Sequence, residues 1–163
     1  MSLFRFKINF FVLIFLFIIF SVTKSYPSSS GKCQNGENFI NGKCIKITFD
    51  SIPEAKIDEQ GIYKYVQIKC NDTNIFIRGS KDFSYHKEIY KNFLQEVELN
   101  HLDSKLCTPL GGGRIKKFQN NKKIKIFGYS KTYGRAENQH ETTKKILQKY
   151  YPDYEITWKN AGY

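Results

Sequence analysis

A chain of 163 residues and 19.1 kDa has room for one hydrophobic core and a short extra segment, which argues against two full domains. Lys and Arg number 26 against 15 Asp and Glu, a formal net charge of +11. That balance argues against a cationic partner and favours an anionic one, without naming its class.

Arg5 and Lys7 precede Ile8 to Val22, an almost wholly apolar run, in the order of the n- and h-regions of a secretory signal with cleavage near Ser25. Fifteen apolar residues fall short of the roughly 20 that span a bilayer. Residues 1–25 are therefore read as a cleaved signal and the mature protein as secreted and monomeric, with no membrane span; the alternative is an uncleaved anchor that retains it in the secretory pathway. Cleavage removes Arg5, Lys7 and Lys24 and no carboxylate, so the mature chain stays basic. Nine positive charges lie between Ser104 and Ala136, where there is no Asp or Glu.

Residues 26–60 are read as a linker and a cysteine-bounded segment. Ser25 to Gly31 (SYPSSSG) has linker composition. All four cysteines, Cys33, Cys44, Cys70 and Cys107, follow the signal, and an even count in an exported chain favours two disulfides. Three pairings are open; Cys33 with Cys44 is favoured because Asn35-Gly36 and Asn41-Gly42 can fold the segment between them back on itself. A zinc site is the weaker reading, since there is no C-x-x-C pair and the three histidines are scattered. Asn71-Asp72-Thr73 is an N-glycosylation sequon, meaningful only on an exported chain.

Ile62 to Cys70 reads as a strand, with Ile62, Val66, Ile68 and Cys70 on one face and Tyr63, Tyr65, Gln67 and Lys69 on the other. Lys64 falls on the apolar face, where it either snorkels or reaches into an anion site. A short strand follows at Ile75 to Arg78, then a helix over Tyr85 to Val97 with Ile89, Tyr90, Phe93, Leu94 and Val97 at helical spacing. His86 stands in its first turn, where the positive end of the helix dipole favours an anion and disfavours an imidazolium. Gly113 to Phe118 and Lys123 to Tyr129 predict a hairpin around Gln119-Asn120-Asn121. Glu137 to Tyr151 predicts a second helix with Ile146, Leu147 and Tyr150 inward, and Tyr154 to Trp158 a last strand. The expected fold class is α+β: one domain over residues 61–163, a mixed sheet of about five or six strands with helices packed on its faces.

Leu110 to Ile115 (LGGGRI) is the least ordinary local sequence, because successive glycines weaken a strand. Either the backbone is closely approached, by an anion that Arg114 also grips, or the segment is a tight bend. It lacks the Gly-Lys-Ser/Thr of a nucleotide P-loop. Cys107 precedes Arg114 with six residues between them, one more than in the loop of the tyrosine phosphatases, and an exported cysteine is more readily oxidised than kept as a nucleophile. Basic Lys105 to Arg135 could suit heparin or nucleic acid, yet alternating lysines on a hairpin are ordinarily a solvated face, and no nucleic-acid partner is expected.

From Gly61 to Tyr163 the chain resembles the phosphohistidine phosphatase family, also called Janus–Ocnus. The likeness is carried by Gly61 to Ile68 (GIYKYVQI), Tyr85 to Tyr90 (YHKEIY), LGGGRI, Phe127 to Gly134 (FGYSKTYG) and Tyr151 to Tyr163 (YPDYEITWKNAGY). The resemblance implies a mixed sheet with helices on both faces, and hydrolysis of phosphohistidine in a protein or peptide substrate without metal or other cofactor. By the same likeness His86 is the general base or transient phosphate carrier, and Lys64 orients the substrate. Tyr85, Gly111, Gly113 and Arg114, with Ser130, Lys131 and Thr132, would contact the phosphoryl group. Thr132 departs from the alanine often found there, and the signal and cysteine loop depart from the chiefly cytosolic characterised members. Two readings compete with the enzyme: a secreted module that binds a phospho-ligand without turnover, and a developmental regulator like the Janus proteins.

Overall fold

Asn41 and Gly42 both take positive φ, 50° and 80°, as a two-residue hairpin turn of type I′ requires. They close a hairpin between β1 (Asn38–Ile40) and β2 (Lys43–Ile45), with Phe39 opposite Cys44. The Cys33–Cys44 disulfide staples it as the turn chemistry suggested, and sulfurs so joined are not thiolates for zinc. This computed structural model describes residue 33 and residues 37–162. The expected signal over residues 1–25, the linker from Ser25 to Gly31 and the Asn35-Gly36 turn lie outside the described residues.

A six-stranded sheet carries the rest of the chain. Its strands are β3 (Ala55–Ile57), β4 (Gly61–Cys70), β5 (Asn74–Ser80), β6 (Cys107–Phe118), β7 (Lys123–Phe127) and β8 (Glu155–Lys159), in the order β3-β5-β4-β6-β7-β8. The outer pairs β3/β5 and β7/β8 are parallel and the inner pairs antiparallel. Helix α1 (His86–Leu99) joins β5 to β6, and α2 (Gln139–Tyr150) joins β7 to β8. The architecture is the expected α+β mixed sheet. Its first strand, β3, lies upstream of Gly61; three residues are too few to show a period.

Alternation along β4 sends Val66, Ile68 and Cys70 to one face, where Ile89, Phe93 and Val97 of α1 cover them. Tyr63 and Tyr65 face the other way and pack with Ile115, Ile124 and Ile126 under Ile146 and Leu147 of α2. Both faces of the strand are covered: Tyr63, Tyr65 and Gln67 are buried as well as Val66, Ile68 and Cys70, because a helix lies on each face. Tyr150, expected inward, is instead exposed, and its hydroxyl accepts the Glu54 N–H at 2.8 Å.

β6 begins six residues before the expected Gly113. Its Pro109 is tolerated because the register with β4 shifts there, Gln67 standing opposite Gly111 and Ile68 opposite Pro109. At the start of β6, Cys107 lies directly across from Cys70, and the two form the second disulfide. In the chain-entropy view, closing a loop over 37 positions of sequence stabilises by about 4 kcal/mol. Among the described residues no helix is long and apolar enough to cross a membrane.

Candidate active site

The first turn of α1 is set by Glu88, whose carboxylate accepts the Tyr85 N–H at 2.9 Å while the Glu88 N–H donates to the Tyr85 carbonyl. His86 therefore starts the helix on its buried stripe with Ile89, Phe93 and Val97. Its ring lies over β6, with Nε2 at 3.0 Å from the Gly113 carbonyl oxygen. A carbonyl only accepts, so Nε2 carries the proton and Nδ1 of the neutral ring keeps its lone pair. Burial pushes the His86 pKa below the ordinary imidazole value; the Gly113 bond opposes this, and the positive charges of Lys64 and Arg114 push the same way as burial. The ring is neutral at pH 7.

Lys64 and Arg114 are register partners on β4 and β6, directly across from each other, and Ser80 of β5 completes the row. Like charges directly opposite each other destabilise a sheet pairing. Lys64 lies on the face that carries His86, and its charge is felt by that ring.

The three glycines are explained mostly by side chains. A Cβ on Gly112 would stand 2.8 Å from His86 Cδ2, 2.7 Å from the Tyr65 carbonyl oxygen and 3.1 Å from Ser130 Cβ. Gly112 is thus the glycine that faces the histidine. Gly111 and Gly113 leave room on the opposite face, where a Cβ on Gly113 would meet Tyr65 at 2.9 Å and one on Gly111 would collide with the Gln139 amide. Gly112→Ala should therefore displace His86 and break its hydrogen bond to the Gly113 carbonyl, moving the His86 imidazole signals in an NMR spectrum. Unchanged His86 signals in a correctly folded Gly112→Ala protein would contradict this.

Ser130 is buried at the head of a tight loop. Its Oγ accepts the N–H groups of Thr132 and Tyr133 at 3.2 and 3.1 Å. Ser130 and Gly134 exchange backbone hydrogen bonds, and the Gly134 carbonyl also takes the Gly112 N–H at 3.2 Å. This fixes the loop against the glycine under His86. Lys131 and Thr132 are exposed between its ends, and Tyr85, ahead of the helix, is 60% exposed with Lys87 Nζ 5.7 Å from its ring centre.

A second buried constellation escaped sequence reasoning. Tyr65 is fully buried, its hydroxyl 2.7 Å from His140 Nδ1 and accepting the Gln139 amide at 2.9 Å. His140 Nε2 donates to the Gly128 carbonyl at 2.9 Å, so Nδ1 accepts from Tyr65. Burial pushes the Tyr65 phenol up to about 12 and the His140 imidazole down, keeping both neutral. The network clamps the backbone at Gly128, two residues before Ser130, from the far side of the sheet. The signal was present: Gln139, His140, Thr143, Ile146 and Leu147 form one buried stripe at helical spacing.

Fold and site together define an α+β protein with a neutral, half-tethered imidazole beside two paired cations. Residues 49–155 match the model of the Janus/Ocnus family, and the chain belongs to that family. It is similar to the 14 kDa phosphohistidine phosphatase of Sus scrofa, 37% identical over 122 residues that cover 69% of this chain and 93% of the relative. The Homo sapiens protein of that name is also 37% identical, over 69% of this chain and 94% of its own. Sex-regulated protein janus-A of Drosophila pseudoobscura pseudoobscura is 33% identical over 144 residues, 80% of this chain and 93% of the relative.

Proposed function

We propose that the chain is a metal-independent protein phosphatase that hydrolyses phosphohistidine in proteins or peptides. The observation that carries this reading is the His86 ring, held neutral with Nε2–H on the Gly113 carbonyl and Nδ1 left for chemistry, on the face shared by Lys64 and Arg114. Relatives named phosphohistidine phosphatase, covered over more than nine-tenths of their length, support it.

In one route Nδ1 takes a proton from a water whose oxygen bonds to phosphorus as the P–N bond breaks. His86 Nδ1–H then gives that proton to the departing substrate imidazole, and phosphate is released. In the other Nδ1 itself bonds to phosphorus as the substrate imidazole leaves, and water then cleaves the new P–N bond. Both need the charge on the equatorial oxygens neutralised, the part assigned to Lys64 and Arg114 with donors from Gly111 and Gly113, the loop Ser130, Lys131 and Thr132, and Tyr85. Phosphate release from a phosphohistidine peptide, wild type against His86→Ala with chelator present, tests the reading.

The relative named sex-regulated protein janus-A favours a second reading, a developmental regulator, which is compatible with the enzyme or with a phospho-ligand binding protein that lacks turnover. In the latter case His86→Ala would keep its affinity for the phosphopeptide and there would be no wild-type hydrolysis to lose. The protein is further proposed to be exported, which the two disulfides support. Expressed with its first 25 residues in a secreting cell, it should be recovered from the medium beginning near Ser25 with all four cysteines oxidised. An intracellular product with an intact N-terminus would rule this out.

A further inference from the structure

Helix α1 covers only part of its face of the sheet. Its Ile89, Phe93 and Val97 pack on Val66, Ile68, Cys70 and Phe76, with Cys107 at the start of β6. Beyond the His86 site the same face runs on, across the later part of β6, β7 and β8. Two neighbouring rows of register partners cross it. One is Lys64, Arg114, Phe127 and Lys159; the other is Ile62, Lys116, Lys125 and Thr157. Ile62 is 52% exposed, and Lys125, Thr157 and Lys159 are exposed as well. Lys116, Lys125, Phe127, Lys159 and Ile62 line a groove of about 470 Å³.

Five cations thus occupy eight positions of two adjoining rows, with Lys116 directly opposite Lys125 and Lys64 directly opposite Arg114. Glu155, on the same face at the start of β8, is engaged by Lys123 at 2.9 Å and also feels the charge of Lys125. Among the described residues no ion pair involves Lys64, Lys116, Lys125 or Lys159; Lys116 lies 4.7 Å from the Phe118 ring centre instead. Like charges directly across a sheet repel and destabilise the pairing. A clustered field of one sign, open to solvent and running into the candidate catalytic site, attracts an anionic ligand.

We infer that this face is the docking surface for an acidic stretch of the protein substrate that carries the phosphohistidine. The inference rests on the proposed phosphatase reading and adds the substrate's sequence preference. Three strand spacings separate β4 from β8, roughly 14 Å at about 4.8 Å each. An extended chain rises about 3.3 Å per residue, so Asp or Glu some three to four residues from the phosphohistidine would reach Lys116, Lys125 and Lys159 while the phosphoryl group lies against Lys64 and Arg114. Ile62 and Phe127 offer apolar contact between the charges.

The test uses two phosphohistidine peptides that differ only in carrying Glu or Gln at the third and fourth positions on both sides. The wild-type protein is compared with a Lys116→Gln/Lys125→Gln/Lys159→Gln variant, and phosphoramidate, a substrate too small to reach the groove, reports on the site itself. We expect the wild type to favour the Glu peptide by about tenfold in kcat/KM at low salt, a preference that shrinks as salt is raised. The triple variant should treat both peptides alike and hydrolyse phosphoramidate as the wild type does. Equal rates on the two peptides in the wild type, or a preference that survives the triple substitution, overturns the inference. If no phosphoramidate is turned over at all, the phosphatase reading fails by itself. Fluorescence anisotropy of the same labelled phosphopeptides on His86→Ala protein then still decides the docking surface, by whether the Glu peptide binds more tightly through the three lysines. Heparin oligosaccharide held by those lysines more tightly than the Glu peptide would also overturn the inference, giving the face to a polysaccharide.

Discussion

Phosphate release from a phosphohistidine peptide should fall at least about 100-fold when His86 is replaced by alanine, in kcat rather than through KM. The substitution removes the group proposed to take a proton or a phosphoryl while leaving Lys64 and Arg114 to bind the anion. Binding of intact phosphopeptide should accordingly persist. Alanine is a good helix former at the first position of α1, and the Gly113 carbonyl loses one hydrogen bond, a loss of about 1 kcal/mol. Thermal unfolding should therefore stay close to wild type. A variant that unfolds normally and still turns over at the wild-type rate would sink the assignment of His86, and with it the enzymatic reading.

The same ring fixes the sign of the pH response. Burial and the two neighbouring cations depress its pKa, so the active neutral form predominates at and above the ordinary imidazole value near 6.5. kcat/KM should be flat from there through neutrality and fall about tenfold per unit only once pH passes below the depressed value, measured above spontaneous loss of phosphate. Stability follows the same direction. His86 and His140 are both held below their unfolded pKa, so between those depressed values and about 6.5 the unfolded chain binds more protons. Their contribution is complete above about 6.5 and is lost as pH falls through the folded values. An activity that rises on acidification through this window would contradict a neutral His86.

Some of this was legible in the residues and some was not, for physical reasons. The stripe Ile89, Phe93, Val97 announces α1 because a helix with one solvated side must repeat its apolar residues near every third or fourth position. The hairpin of β1 and β2 is equally local, since Asn41-Gly42 is built for two positive φ angles. β4 is the opposite case. With α1 on one face and α2 on the other, alternation sorts its residues into two faces and does not by itself say that both are covered. The glycine triplet stays open between an anion cradle and a tight bend; much of its room belongs to His86, Tyr65 and Gln139, 26 to 48 positions away in sequence from the glycines they face. Nothing local in LGGGRI distinguishes a cradle for a ligand from a cradle for the protein's own side chains. The uncovered basic face was hidden too, because Lys116, Lys125 and Lys159 come together only through the pairing of β6, β7 and β8.

Glu96 carries the largest expected effect on stability. Its carboxylate receives Arg78 Nε at 2.9 Å and Nη2 at 3.4 Å, a two-pronged grip on a guanidinium whose side chain is only 5% exposed. Arg78 Nη1 also donates to the Ile77 carbonyl at 3.0 Å, and the guanidinium carbon lies 4.8 Å from the Phe93 ring centre and 5.5 Å from that of Phe76. Glu96→Leu strands this charge in an apolar layer and should destabilise by about 3 kcal/mol, since a buried cation that loses its partner keeps its desolvation penalty. Arg78→Met should cost less. Methionine packs against both phenylalanines, and Glu96, 20% exposed and 3.9 Å from Lys56, can still be solvated. Arg78→Met/Glu96→Leu should then be more stable than the sum of the single losses implies. Because the pair docks the C-terminal part of α1 on β5, Glu96→Leu should also loosen the helix that holds His86 over Gly113, lowering kcat below what the remaining folded fraction explains. Urea unfolding of the three variants, read with kcat per folded molecule, checks both halves; a Glu96→Leu loss under about 1 kcal/mol would show that water reaches Arg78 and that the pair does not anchor the helix.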